Sequence, residues 1–175
     1  MATYHYYKEG YAVPYDAFGN VLLKRHLDVP ALRADSIINN SPLAVSGART
    51  LLPATGFAIN DYLQIWRVPA GTMILGGGMR VSTAGASTTI AVGHVSATQT
   101  MAKTTEFDRW ATTIPVPTVG YYNFDTEDGD EWATVTAKHP LQTLYITNGT
   151  IDVKFQSVAE TTLICDFWMW GCKVY

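Results

Sequence analysis

The sequence predicts an all-β fold: an antiparallel β-sandwich of jelly-roll type with an extended N-terminal arm. Three observations carry this expectation. From about residue 56 onward, apolar residues recur with a period of two, the period of a strand with one buried face. That half of the chain has no amphipathic helical pattern longer than two turns. Finally, LQTLYITNGTIDVKFQ, residues 141–156, places Asn148-Gly149 between two alternating runs. Asn-Gly favours a two-residue type I′ turn because both central residues need positive φ. Short strands separated by turn residues pack as two sheets.

The chain divides by composition near residue 55. Residues 1–55 carry Pro14, Pro30, Pro42 and Pro53, with further breaks at Gly10, Gly19 and Gly47. Five tyrosines, Tyr4, Tyr6, Tyr7, Tyr11 and Tyr15, lie in the first fifteen residues beside only Lys8 and Glu9. So aromatic a segment must cover itself, because soluble monomers rarely expose large apolar patches. It reads as an arm lying on a neighbouring subunit or on its own domain. Tyr4, Tyr6, Tyr7 and Tyr11 are therefore candidate interface residues. Residues 28–34, DVPALRA, suit one helical turn, with Asp28 as cap and Pro30 in the first turn. Residues 56–175 form the sandwich domain.

Within that domain, Asp61 to Val68 is one strand, Ser87 to Val95 another, and Glu131 to Lys138 a third. In the 141–156 hairpin, the Asn-Gly turn sets Ile146 against Ile151 and Leu144 against Val153 on one face. Tyr145 then faces Asp152 on the other. Thr162 to Tyr175 is the last strand. Leu163, Cys165, Phe167 and Met169 share one of its faces; Ile164, Asp166, Trp168 and Trp170 share the other. Both faces are largely apolar, so the strand is central or buried between subunits. Trp168 and Trp170 are further interface candidates. Cys165 and Cys172 lie seven steps apart, roughly 23 Å along a strand, too far to pair.

Gly76-Gly77-Gly78 is no phosphate cradle. The GxxxxGK motif and the GxGxxG fingerprint are both absent, and strand-like Met79-Arg80-Val81 follows where a helix would be needed. A bulge or a corner turned by one long strand is the structural reading. The acidic run DTEDGDE, residues 125–131, lacks EF-hand spacing and reads as a solvated turn. The four histidines have no metal spacing, and there is no GxSxG elbow. Glu106 and Asp108 share one strand face near Trp110, but Arg109 and Lys103 balance them. No cofactor, metal site or catalytic set is expected, and no enzyme.

Composition points the same way. Only 15% of residues are charged, and the net charge is −3. No basic stripe follows a phosphate backbone, which argues against nucleic-acid partners. No apolar run approaches the length of a membrane helix, and no secretory signal opens the chain, so synthesis in a cytoplasm is expected. A weakly charged surface rich in Thr, Ser, Tyr and Trp suits a subunit that packs against neighbours.

The string NDYLQIWRVPAGTMILGGGMRVSTAGASTTIAVGHV, with the aromatic close Phe167-Trp168-Met169-Trp170 to Tyr175, resembles a group of tailed-bacteriophage virion proteins. The shared pattern is a strand, a PAGT turn, a strand ending GxRV, a Gly/Thr-rich hairpin and a TxxVG strand. It covers about residues 58–100 and 141–175. The resemblance implies a structural β-sandwich subunit of a phage virion: first, a capsid decoration (cement) protein that bridges capsomers. Its partners would be the major capsid protein and copies of itself, as dimer or trimer. A tail, fibre or receptor-binding component is the second expectation. A carbohydrate-binding module, outside the resemblance, is the third.

Overall fold

A computed structural model describes residues 2–6, 15–34, 41–45, 48–86, 89–94, 106–124, 143–157 and 159–174. The strands are β1 (Thr3–Tyr6), β2 (Asn20–Asp28), β3 (Leu43–Val45), β4 (Ala48–Arg49), β5 (Tyr62–Val68), β6 (Thr72–Thr83), β7 (Thr89–His94), β8 (Glu106–Pro115), β9 (Gly120–Asn123), β10 (Thr143–Leu144), β11 (Gly149–Phe155) and β12 (Ile164–Lys173). The helix α1 (Val29–Ala34) follows β2. The Asp28 carboxylate accepts the Ala31 N–H at 2.8 Å, as its capping position predicts.

Two sheets form an all-β sandwich. One runs β4-β3-β1-β5-β11-β7-β8; the other runs β10-β6-β12-β2, with β9 also on β6. Between them lie Leu27, Leu63, Ile65, Ile74, Met79, Val92, Ile151, Val153, Phe155, Phe167 and Met169, all buried. Phe57 stacks on Phe155 at 4.3 Å, closing one end of this core.

The division expected at residue 55 does not appear in the fold. β1 lies between β3 and β5, and β2 pairs with β12 along nine residues. Residues 2–6 and 15–34 are thus built into both sheets. Tyr4 explains why. It is buried and meets Phe57 edge-on at 5.2 Å, which stabilises the fold by about 2 kcal/mol and ties the N-terminus to the core. Asp61 strengthens the tie by accepting the Ala2 N–H at 2.6 Å and the Ala58 N–H at 2.9 Å. The entry of β1 also breaks the antiparallel rule, because it runs parallel to β5.

The 141–156 hairpin is a second correction. β10 pairs with β6 in one sheet, while β11 pairs with β5 and β7 in the other. Neither Asn148 nor Gly149 has positive φ, so there is no type I′ turn. Asn148 instead accepts the Ala70 N–H with its side chain at 2.9 Å, and Tyr145 and Gly71 join backbone to backbone. The segment crosses between the sheets. Ile146, expected to pair with Ile151, is 41% exposed, whereas Ile151 and Tyr145 are buried. Burying those two in separate sheets outweighs the local turn preference.

The sandwich corner lies at Pro69–Thr72, where Gly71 has φ +84° and the Thr72 N–H reaches the Pro69 carbonyl. This turn carries the chain from β5 to β6, so the expected corner is seven residues earlier than the glycine triplet. Gly76–Gly78 lie inside the unbroken strand β6. A bulge does occur beside them: Trp170 pairs with Gly76 and Gly171 with Ile74, leaving Leu75 between. The expected strand at 131–138 and the acidic run at 125–131 lie outside the described residues, as do Tyr7 and Tyr11.

Candidate functional site

The alternation of β12 sends Cys165, Phe167 and Met169 into the core and Asp166, Trp168 and Trp170 outward. On one side of it, β2 turns Val21, Leu23 and Leu27 inward and Leu22, Lys24 and His26 outward. On the other side lie β6 and β9. The registers set three rows across the sheet. Leu22, Trp170 and Gly76 form the first; Lys24, Trp168, Gly78 and Asn123 the second; His26, Asp166, Arg80 and Tyr121 the third.

These rows account for the glycines. A Cβ on Gly78 would lie 2.6 Å from Trp168 Cζ2 and 2.7 Å from the Tyr122 carbonyl oxygen. On the inward side, a Cβ on Gly77 would lie 2.8 Å from both Met169 Cγ and the Trp168 carbonyl oxygen. The triplet admits the close approach of Trp168 on one face and of Met169 on the other.

The outer face that results is aromatic with a charged border. Trp168 is half-buried, while Leu22 is 51%, Tyr121 50% and Trp170 37% exposed. The Tyr121 and Trp168 rings lie 6.4 Å apart at 55°, and the Arg80 guanidinium lies 5.5 Å from the Tyr121 centroid. His26 Nδ1 and Asp166 Oδ1 are 2.8 Å apart in the open. An exposed pair of this kind contributes about 0–1 kcal/mol, so it shapes the surface more than it stabilises it. Two shallow depressions open here. One, of about 610 Å³, lies between Lys24, His26, Tyr121 and Trp168. The other, of about 660 Å³, lies between Tyr15, Leu22, Leu75 and Trp170. The chemistry on offer is stacking, apolar contact and hydrogen bonding.

Of the interface candidates read from the sequence, Trp168 and Trp170 therefore sit together on one accessible face. Tyr4 does not join them, because it is committed to the core. Burial, followed by the Asp61 charge, raises its phenol pKa. Tyr6 is half-buried on the other sheet, with the Arg25 guanidinium 5.4 Å from its ring. Burial raises its pKa against the lowering effect of Arg25. Leu22, Lys24, His26 and Tyr121 escaped the sequence reading. The alternation of residues 20–28 was the available signal, masked by the impression of an arm.

Two further reactive groups, Cys165 and Glu160, are internal. Burial, with Asp166 and Glu160 nearby, pushes the Cys165 thiol well above its ordinary value, so it stays protonated and inert. Glu160 is buried and accepts the backbone N–H groups of Ala86, Thr162 and Leu163, which is structural work. Among the described residues, no three His, Cys, Asp or Glu side chains gather as metal ligands.

With this geometry in view, a fold likeness is informative. The chain is similar in fold to a chain of the structure titled "Capsid of Ralstonia phage GP4". The TM-score is 0.50 at 12% sequence identity, covering 94% of this chain and 91% of that one. At that identity the likeness is one of fold. No family model matches the sequence, and no curated protein is significantly similar to it.

Proposed function

We infer that this chain is a structural subunit of a tailed-phage virion, and specifically a decoration protein bound to the outside of the capsid shell. The observation that carries the virion reading is the extent of the fold likeness. It spans 94% of this chain and 91% of a chain from a phage capsid structure, so the whole subunit corresponds rather than one shared motif. Two features of the chain support it. The surface is poor in charge, and the outer face of the β12 sheet presents Leu22, Trp168, Trp170 and Tyr121 together. The partners are the major capsid protein and further copies of the chain. The role is mechanical: a ligand that binds only the assembled shell stabilises it by mass action.

The test is stoichiometry. Virions purified through a density gradient should carry the chain in many tens to hundreds of copies each, measured by quantitative mass spectrometry against the major capsid protein. Stripping the chain should lower the temperature at which filled particles release DNA. A few to a dozen or so copies would instead make it a tail component. Absence from purified virions would refute the virion reading altogether.

A further inference from the structure

We propose that the free edge of β2 is a docking site for an extended, acidic strand of another polypeptide, which adds to the sheet by backbone pairing. The hydrogen-bond phase along β2 fixes which groups are free. At one end the Lys173 N–H donates to the Gly19 carbonyl; at the other the Val29 N–H donates to the Leu163 carbonyl. The register between them is unbroken for nine pairs, so hydrogen-bonded and non-bonded pairs alternate without a slip. Val21, Leu23, Arg25 and Leu27 therefore bond to β12. Leu22, Lys24 and His26 turn their N–H and C=O groups away from it, toward the open edge.

Among the described residues, no strand pairs with that edge, because β2 ends the sheet order. The neighbouring Asn20 shows how an edge position is satisfied internally. Its N–H donates to the Asp16 carboxylate at 2.7 Å, and its carbonyl accepts the Asp16 N–H at 2.8 Å. Among the described residues, the stretch from Leu22 to His26 has no such local closure. A row of unpaired backbone groups on a long strand is a template for strand addition.

Charge selects the occupant. Lys24 and His26 project from this stretch, beside the aromatic floor of Trp168. A second copy fits less well in the centred register: antiparallel pairing of two β2 strands about their centre sets Lys24 against its own equivalent, and like charges directly opposite disfavour it. His26 already meets the Asp166 carboxylate at 2.8 Å, so Lys24 is the cation this stretch offers. A strand with an acidic side chain opposite Lys24 meets it with opposite charge, and an apolar side chain on it covers Leu22. This inference stands on the sheet edge itself and holds whether or not the chain belongs to a particle.

The experiment uses the full chain, labelled with ¹⁵N, and two capped nine-residue peptides: threonine alternating with glutamate, and threonine alternating with lysine. The glutamate peptide should shift the amide protons of Leu22, Lys24 and His26 downfield and saturably, with smaller changes at Leu23 and Arg25. It should bind about 5- to 10-fold more tightly than the lysine peptide. Lys24→Glu should reverse that order. Lys24→Pro removes one edge-facing donor, a position where proline is tolerated, and should abolish binding with the rest of the spectrum retained. Three results overturn the proposal: no saturable shift at millimolar peptide, equal affinity for both peptides, or perturbation of the β2 amides by oligosaccharides alone. Sedimentation of the free chain as a dimer that Lys24→Pro dissolves also overturns it, in favour of a second copy.

Discussion

Gly78→Ala tests the packing that builds the outer face. The new methyl carbon would stand 2.6 Å from Trp168 Cζ2 and 2.7 Å from the Tyr122 carbonyl oxygen. Ordinary carbon–carbon contact begins at roughly 3.5 Å, so the indole must retreat by about 1 Å. The carbonyl belongs to β9, which is itself paired with β6, so it yields less readily than a ring edge. Overpacking of this kind costs about 1–3 kcal/mol. For a chain of this size, 2 kcal/mol lowers the melting temperature by about 4–8 °C. Calorimetry reads the shift, and tryptophan fluorescence reports any movement of the indole. The double variant Gly78→Ala with Trp168→Val should recover part of the loss relative to Trp168→Val alone, because only the ring contact is relieved. The carbonyl contact should keep recovery incomplete. If Gly78→Ala melts within 1 °C of the parent, with unchanged fluorescence, the close-approach account of the glycine triplet is wrong.

Asp61→Ala should destabilise the fold by about 2–3 kcal/mol in urea, since it removes the acceptor for the Ala2 and Ala58 N–H groups. Hydrogen exchange should show β1 losing protection first. Deleting residues 1–6 should lower the urea midpoint and raise ANS binding, because Tyr4 leaves a hole against Phe57. An unchanged midpoint would restore the picture of a detachable arm. Ellman's reagent at pH 7.5 should spare the buried Cys165 in the native chain, leaving at most the half-buried Cys172 to react, and should titrate both in denaturant. The raised Cys165 pKa stabilises the fold fully below the ordinary thiol value. That contribution is lost as the pH rises from there toward the raised folded value, so Cys165→Val should flatten the fall of the urea midpoint above pH 9.

Fold class was readable from the sequence because side-chain alternation is local: Tyr62–Val68, Thr89–His94 and Ile164–Lys173 announce strands by their own pattern. The two faces of β12 were readable for the same reason, and so was the Asp28 cap on α1, which spans three residues. Strand partners were not. Asn148-Gly149 has the composition of a tight turn, yet the flanking strands join different sheets, because the choice between local pairing and separate burial of Tyr145 and Ile151 is made by the whole core. The aromatic N-terminus looked like an arm until β5 and β12 supplied places for β1 and β2, and proline spacing carries no information about such distant acceptors. Trp168 and Trp170 were visible as candidates, but Leu22, Lys24, His26 and Tyr121 come from strands far apart in the chain. Only sheet register places those six side chains on one surface, and only the sheet order sets β2 at an edge among the described residues.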